Sequence, residues 1–225
     1  MRRDLSLKEY VVSQTKKTGV LPCIKLHQKD DFIKYATAMY EGGARVIEVT
    51  MTTPGVLEAI EAISSHFGDE LLVAAGTVLA PATAREVILH GGSCIVNPCL
   101  IPDVIDLAGR YNVPVYSGAF TATEVFNAMK SGASMVKIFP GGLGGPKYMT
   151  NLKMVFPEVN LIPSGGITDE NCGEFIKCGA CAVSGARTFM NFEMIEKEGV
   201  EWITKQVKKF SDIVTEAKKT ELYIP

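Results

Sequence analysis

Short apolar runs alternate with longer segments of helical period along most of the chain. The runs cover residues 20–26, 45–50, 71–77, 94–97, 113–117, 135–139, 160–164 and 181–184. Each is brief and nearly continuous, as expected of strands covered on both faces. The segments between them show helical spacing. Residues 30–40, for example, put Phe32, Ile33, Ala36 and Met39 on one side of a helix. Another helix is predicted near residues 5–17, ahead of the first strand. Gly42-Gly43, Gly91-Gly92, Gly132 and Gly179 stand where a helix would exit through a left-handed residue. Thr53 ahead of Pro54, Thr121 and Asp169 read as helix starts.

This alternation predicts parallel strands joined by crossover helices. Eight such units within 225 residues predict an α/β fold, a (β/α)8 TIM barrel. It is expected to be a single domain over residues 1–225 with a short N-terminal helix, since no linker-like stretch divides the chain. A doubly wound open sheet is the alternative. No G-x-G-x-x-G follows the first strand, as a dinucleotide-binding version of that sheet would need.

Composition narrows the function. Hydrophobic residues make up 47% and charged residues 21%, which suits a folded core and not a disordered chain. A formal net charge of −2 gives no global attraction to nucleic acid or an anionic membrane. The pairs Lys16-Lys17, Lys208-Lys209 and Lys218-Lys219 read as solvated helix faces and ends. No apolar run approaches the roughly 18 residues of a membrane span. The opening MRRDLSLKEY is basic without an apolar stretch, so no secretory signal is expected. Of six cysteines, only Cys178 and Cys181 have C-x-x-C spacing, with no second pair and no histidine near. Neither a metal site nor a cofactor is expected. The expectation is a reduced, cytoplasmic enzyme acting on a small molecule.

The chemistry then rests on polar residues in otherwise apolar strands. Lys137 lies in Met-Val-Lys-Ile-Phe-Pro. Desolvation there disfavours the ammonium and favours a free amine, able to attack a ketone. Glu48 lies mid-run in Arg-Val-Ile-Glu-Val-Thr, sharing a face with Val46 and Thr50. A carboxylate on the inner wall of a barrel must be paired or functional. Beside Lys137 it could move protons during imine chemistry; a purely structural Lys–Glu pair is the other reading. Thr50, Thr77, Ser164 and Ser184 are strand-end hydroxyls, suited to a carboxylate or hydroxyl, or to capping a helix. Lys25, at the end of the first run, is either an anion ligand or a solvated rim lysine. The turns Ser164-Gly165-Gly166-Ile167-Thr168 and Ser184-Gly185-Ala186-Arg187 follow the seventh and eighth strands, where barrels often bind phosphate. The run Pro140-Gly-Gly-Leu-Gly-Gly-Pro146 reads as a positioning loop. His27, His66 and His90 lack metal-site spacing, which favours amine over Lewis-acid catalysis.

Residues 20–189 resemble the bacterial 2-keto-3-deoxy-6-phosphogluconate aldolase / 4-hydroxy-2-oxoglutarate aldolase family. The resemblance is carried by Gly42-Gly-Ala-Arg-Val-Ile-Glu-Val-Thr50, Ala75-Gly-Thr-Val78, Asn97-Pro98, Lys137-Ile-Phe-Pro140 and Pro163-Ser-Gly-Gly-Ile167. It implies a class I aldolase that forms pyruvate through a lysine Schiff base. It implies that Lys137 is the Schiff-base lysine and Glu48 the acid/base. It further implies that Thr77 binds the pyruvyl carboxylate, that Pro98 and Phe139 line the pocket, and that Gly165, Gly166, Ser184 and Gly185 form the phosphate end. A keto-acid substrate and a homotrimer are implied as well. Three positions depart from the family pattern. Thr52 and Lys25 stand where many members carry arginine, and Val183-Ser184-Gly185 replaces Gly-Gly-Ser. Thr52 and Lys25 are expected to flank the carboxylate, with looser geometry than a guanidinium fork provides. A phosphate-binding isomerase and a keto-acid binder without turnover are the rival functions.

Overall fold

The computed structural model describes residues 4–27 and 30–220. Part of the opening read above as lacking a secretory signal, residues 1–3, lies outside them. Eight parallel strands form the centre: β1 (Val20–Ile24), β2 (Val46–Thr50), β3 (Leu72–Gly76), β4 (Cys94–Val96), β5 (Val115–Ala119), β6 (Met135–Ile138), β7 (Leu161–Pro163) and β8 (Val183–Gly185). Spatial order follows chain order from β1 to β7, and β8 returns to pair with β1. Bridges between Leu161 and Ala180 and between Ser164 and Ser184 draw the two edges together into a nearly closed barrel. The helices are α1 (Leu7–Thr18), α2 (Phe32–Glu41), α3 (Val56–Phe67), α4 (Pro81–Leu89), α5 (Pro102–Arg110), α6 (Ala122–Lys130), α7 (Gly141–Val155), α8 (Cys172–Lys177), α9 (Phe192–Glu198) and α10 (Glu201–Ala217). The architecture is the (β/α)8 TIM barrel.

Alternation along the strands separates two cores. Outward residues such as Ile24, Ile47, Val49, Val73, Ile95 and Val136 pack beneath the helices. Inward residues Leu21, Val46, Leu72, Ala74, Cys94, Val96, Tyr116, Met135 and Ile162 fill the barrel. Each large apolar side chain buried this way stabilises the fold by about 1.5–3 kcal/mol. Helix α1 closes the N-terminal end. Ser6 and Glu9 form a reciprocal capping box, and Gly19 ends the helix at φ 70°. Val11 on α1 joins the inner core. Beside it, the Thr15 and Tyr116 hydroxyls meet at 2.7 Å, fully buried. Above this floor, Glu48 and Lys137 stand toward the C-terminal ends of the strands.

The structure corrects several boundaries. Strands β1, β3, β4 and β6 stop one or two residues before their apolar runs end, because Leu26, Thr77, Asn97 and Phe139 belong to the loops above the ladder. The fifth strand begins at Val115, not 113, since Pro114 has no N–H to donate. The eighth begins at Val183, not 181. Thr121 caps α6 within a capping box, as expected. Thr53 does not cap α3: Gly55, left-handed, precedes that helix. The Thr53 hydroxyl instead accepts a bond from the Leu26 N–H at 3.2 Å, tying the first two strand ends together. Asp169 does not cap α8 either. Asn171 precedes that helix, and Asp169 pairs with Lys209. The run 140–146 is no open loop. It makes a helical turn, breaks at Gly145 with φ 72°, and resumes through Pro146.

Candidate active site

The polar residues of the inner wall gather above Tyr116 and Met135. Lys137 on β6 and Glu48 on β2 face each other across the barrel mouth, with Nζ 3.4 Å from Oε2. Their side chains are 12% and 3% exposed. Two glycines make room for them. A Cβ on Gly76 would lie 2.0 Å from Glu48 Oε1, so only glycine at that place on β3 admits the carboxylate. A Cβ on Gly118 would lie 2.0 Å from the Pro98 carbonyl carbon. Gly118 is the register partner of Lys137. Its bare Cα therefore lets the loop after β4 lean in beside the lysine. The Phe139 ring stands with its centroid 6.0 Å from Lys137 Nζ.

Lys25, Glu48, Thr77, Pro98, Lys137, Phe139, Ser164, Gly165, Gly166, Ser184 and Gly185 line one cavity of about 260 Å3. The structure thus brings together every expected site residue except Thr52. Strand β2 ends at Thr50 and the chain turns away, leaving Thr52 exposed at the rim. Its hydroxyl is 2.9 Å from that of Thr50, which does line the cavity. Thr77 adopts φ 63°, a strained conformation for a β-branched residue. Its N–H still bonds the Val96 carbonyl at 2.8 Å, so the strain is held by the sheet.

The far wall is built from three glycine-bearing turns. Gly165 and Gly166 have φ 81° and 76°. The N–H groups of Gly141 and Gly142 donate to the Ser164 and Gly165 carbonyls, each at 2.7 Å. A Cβ on Gly142 would lie 2.9 Å from Gly166 Cα, so the two backbones touch where no side chain fits. Among the described residues, the N–H group of Gly166 has no protein acceptor. Ser184 Oγ is buried without a partner.

The family model described as KDPG and KHG aldolase matches residues 11–206. The chain belongs to the KDPG and KHG aldolase family. It is a class I aldolase, a carbon–carbon lyase that forms pyruvate. The chain is 36% identical to the 2-dehydro-3-deoxy-6-phosphogalactonate aldolase of Escherichia coli K12 over 157 residues, 69% of this chain and 76% of that protein. It is 29% identical to the KHG/KDPG aldolase of the same strain over 191 residues, 84% of this chain and 89% of the relative. Among solved structures it is similar to the KDPG aldolase of Legionella pneumophila, crystallised with pyruvate captured as a covalent carbinolamine intermediate. That likeness has a TM-score of 0.79 at 26% identity and covers 91% of this chain and 97% of the other.

Within this aldolase, the sequence pattern leaves the lining residues Cys23 and Thr188 unmarked, and gives Ala186 and Arg187 no role beyond membership of the turn after the eighth run. Cys23 is the register partner of Glu48. Burial first, and the Glu48 carboxylate next, push its thiol well above the ordinary range, so it stands as a neutral neighbour. Its inward register was the available signal. The other three follow β8 in that turn. Thr188 fixes that turn by donating to the Ile167 carbonyl at 2.7 Å.

Proposed function

We propose that this aldolase cleaves 2-keto-4-hydroxy acids to pyruvate and an aldehyde through an imine on Lys137. The Lys137–Glu48 pair carries the reading. A carboxylate 3.4 Å from a nearly buried amine can take its proton and leave a neutral nucleophile. The amine adds to the C2 ketone, and the carbinolamine loses water to give a protonated imine. Glu48 then removes the C4 hydroxyl proton, directly or through a water. The C3–C4 bond breaks, its electron pair moves into the enamine, and the aldehyde departs. Protonation at C3 and hydrolysis release pyruvate and restore the amine. The imine is the electron sink, so this route calls on no metal or cofactor.

Thr77 and Lys25 hold the C1 carboxylate in this reading, through a hydroxyl and a point charge. Thr52 is left at the edge. Pro98 and Phe139 exclude water beside the imine. Ser164, Gly165, Gly166, Ser184 and Gly185 receive the far end of the substrate, where the free Gly166 N–H suits an anion. The names of the relatives point to 2-dehydro-3-deoxy-6-phosphogluconate or its galactonate epimer, giving glyceraldehyde 3-phosphate, and to 4-hydroxy-2-oxoglutarate, giving glyoxylate. The proposal includes a homotrimer working in cytoplasmic carbohydrate metabolism.

Coupling to lactate dehydrogenase and NADH tests this. Pyruvate should be released from one or both substrates, and folded Lys137→Met should release none. No release by the wild-type protein would favour the isomerase or binder. Turnover in the variant would place the nucleophile elsewhere.

A further inference from the structure

The cavity that holds Lys137 is not blind. Lys25, Ala186 and Arg187 line it and also line a second, larger cavity of about 490 Å3. The outer wall of this second lobe comes from His27 and the segment leading into α9, with Asn191 and Glu193 among its polar groups. The two cavities are therefore neighbours, and Lys25 and Arg187 stand at the seam between them.

Arg187 is unengaged at that seam. The other described arginines all have partners: Arg45 donates to the Tyr40 and Ala44 carbonyls, Arg85 to the Tyr111 hydroxyl, and Arg110 to Asp106. No hydrogen bond or ion pair holds the Arg187 or Lys25 side chain among the described residues. The turn that carries Arg187 is nevertheless fixed. Phe189 and Met190 N–H both donate to the Ala186 carbonyl, at 3.0 and 2.8 Å, and Thr188 is bonded across to Ile167. A fixed backbone presenting an unpaired planar fork at a cavity mouth suits a bidentate oxyanion.

We propose that Arg187 is the specificity-determining clamp for a terminal anion on the aldehyde half. This rests on the aldolase reading above. With C2 bonded to Lys137, the rest of the substrate must run outward from the amine toward this seam. The second lobe gives a chain of six carbons room to extend past it. The recognised chemistry is a phosphate or carboxylate oxyanion. An unionised terminal hydroxyl gains nothing from the clamp.

The test compares wild type, Arg187→Gln and Arg187→Lys by pyruvate release from three substrates. These are 2-dehydro-3-deoxy-6-phosphogluconate, its dephosphorylated form and 4-hydroxy-2-oxoglutarate. For an anionic substrate the clamp grips, Arg187→Gln should lower kcat/KM about 10- to 100-fold, chiefly through KM. Arg187→Lys should recover part of this. The dephosphorylated substrate should change less than about twofold. Loss confined to the phosphorylated substrate identifies a phosphate clamp, loss confined to hydroxy-oxoglutarate a carboxylate clamp, and loss on both a general one. Unchanged kinetics on both anionic substrates would overturn the proposal and leave the anion to the glycine turns. Equal loss on all three would overturn it as well. Borohydride trapping of pyruvate separates the two levels: an adduct on Lys137 in both proteins keeps the aldolase reading intact whatever Arg187 does. Its absence from the wild type would bring down that reading, and the clamp with it.

Discussion

Glu48 owes its place to the missing side chain of Gly76. A methyl group there would collide with the carboxylate at 2.0 Å, so Gly76→Ala must displace either the acid or the strand. The expected outcome is a folded protein, destabilised by about 1–3 kcal/mol, with pyruvate release reduced as severely as in Glu48→Gln. That second variant keeps the shape and removes the base, and should cost about 10²- to 10⁴-fold in kcat. Thermal unfolding and the coupled assay, run on both, check the pair. A Gly76→Ala enzyme of full activity would show that Glu48 need not sit where it does. Lys137 and Glu48 were legible because they break an apolar pattern in the inward register. Arg187 was legible only as a member of the glycine turn after the eighth run, because nothing in Gly-Ala-Arg-Thr tells which way the arginine side chain faces. Thr52 misled in the opposite direction. It follows the strand in sequence, but the turn over residues 51–55, marked by Pro54-Gly55, carries it out to solvent.

At the scale of elements, helix α1 and strand β5 share the buried contact that closes the barrel floor. Tyr116→Phe removes the hydroxyl that meets Thr15, while Thr15 keeps its bond to the Val11 carbonyl at 3.0 Å. This should cost about 0.5–1.5 kcal/mol in chemical denaturation and leave kcat unchanged, since the floor does not touch substrate. At the entry to α2, the Tyr35 hydroxyl, then Lys34, then the Asp31 N–H hold the Asp30 carboxyl down at about 2, against an ordinary 3.8. Its stabilising contribution is therefore complete above pH 3.8 and is lost as the pH falls toward 2. Wild type should lose Tm over that window by more than Asp30→Asn does; parallel curves would contradict the assignment. The strands were readable because runs covered on both sides are apolar throughout. Their ends were not, since the loops above the barrel are buried too. Helix starts at Thr53 and Asp169 failed for a related reason: both side chains serve long-range partners, Leu26 and Lys209, that sequence neighbours do not reveal.

For the whole molecule, one apolar core lies beneath the helices and another fills the barrel, while Glu48 and Lys137 meet at the strand ends. This places the chemistry of the barrel wall at its mouth, a distribution implicit in the eightfold alternation of the sequence. Oligomeric state was not legible in that way. Phe126 and Met129, three residues apart on α6, are 54% and 38% exposed and share a helix face, which fits burial between copies. Sedimentation equilibrium should give the mass of three chains; the mass of one would remove the trimer from the account. The central claim concerns one amine and is tested most directly by reducing the folded protein with borohydride in the presence of pyruvate. Peptide mass spectrometry should find the reduced adduct on Lys137, and none when pyruvate is omitted. An unmodified Lys137, or an adduct on another lysine, would contradict the account.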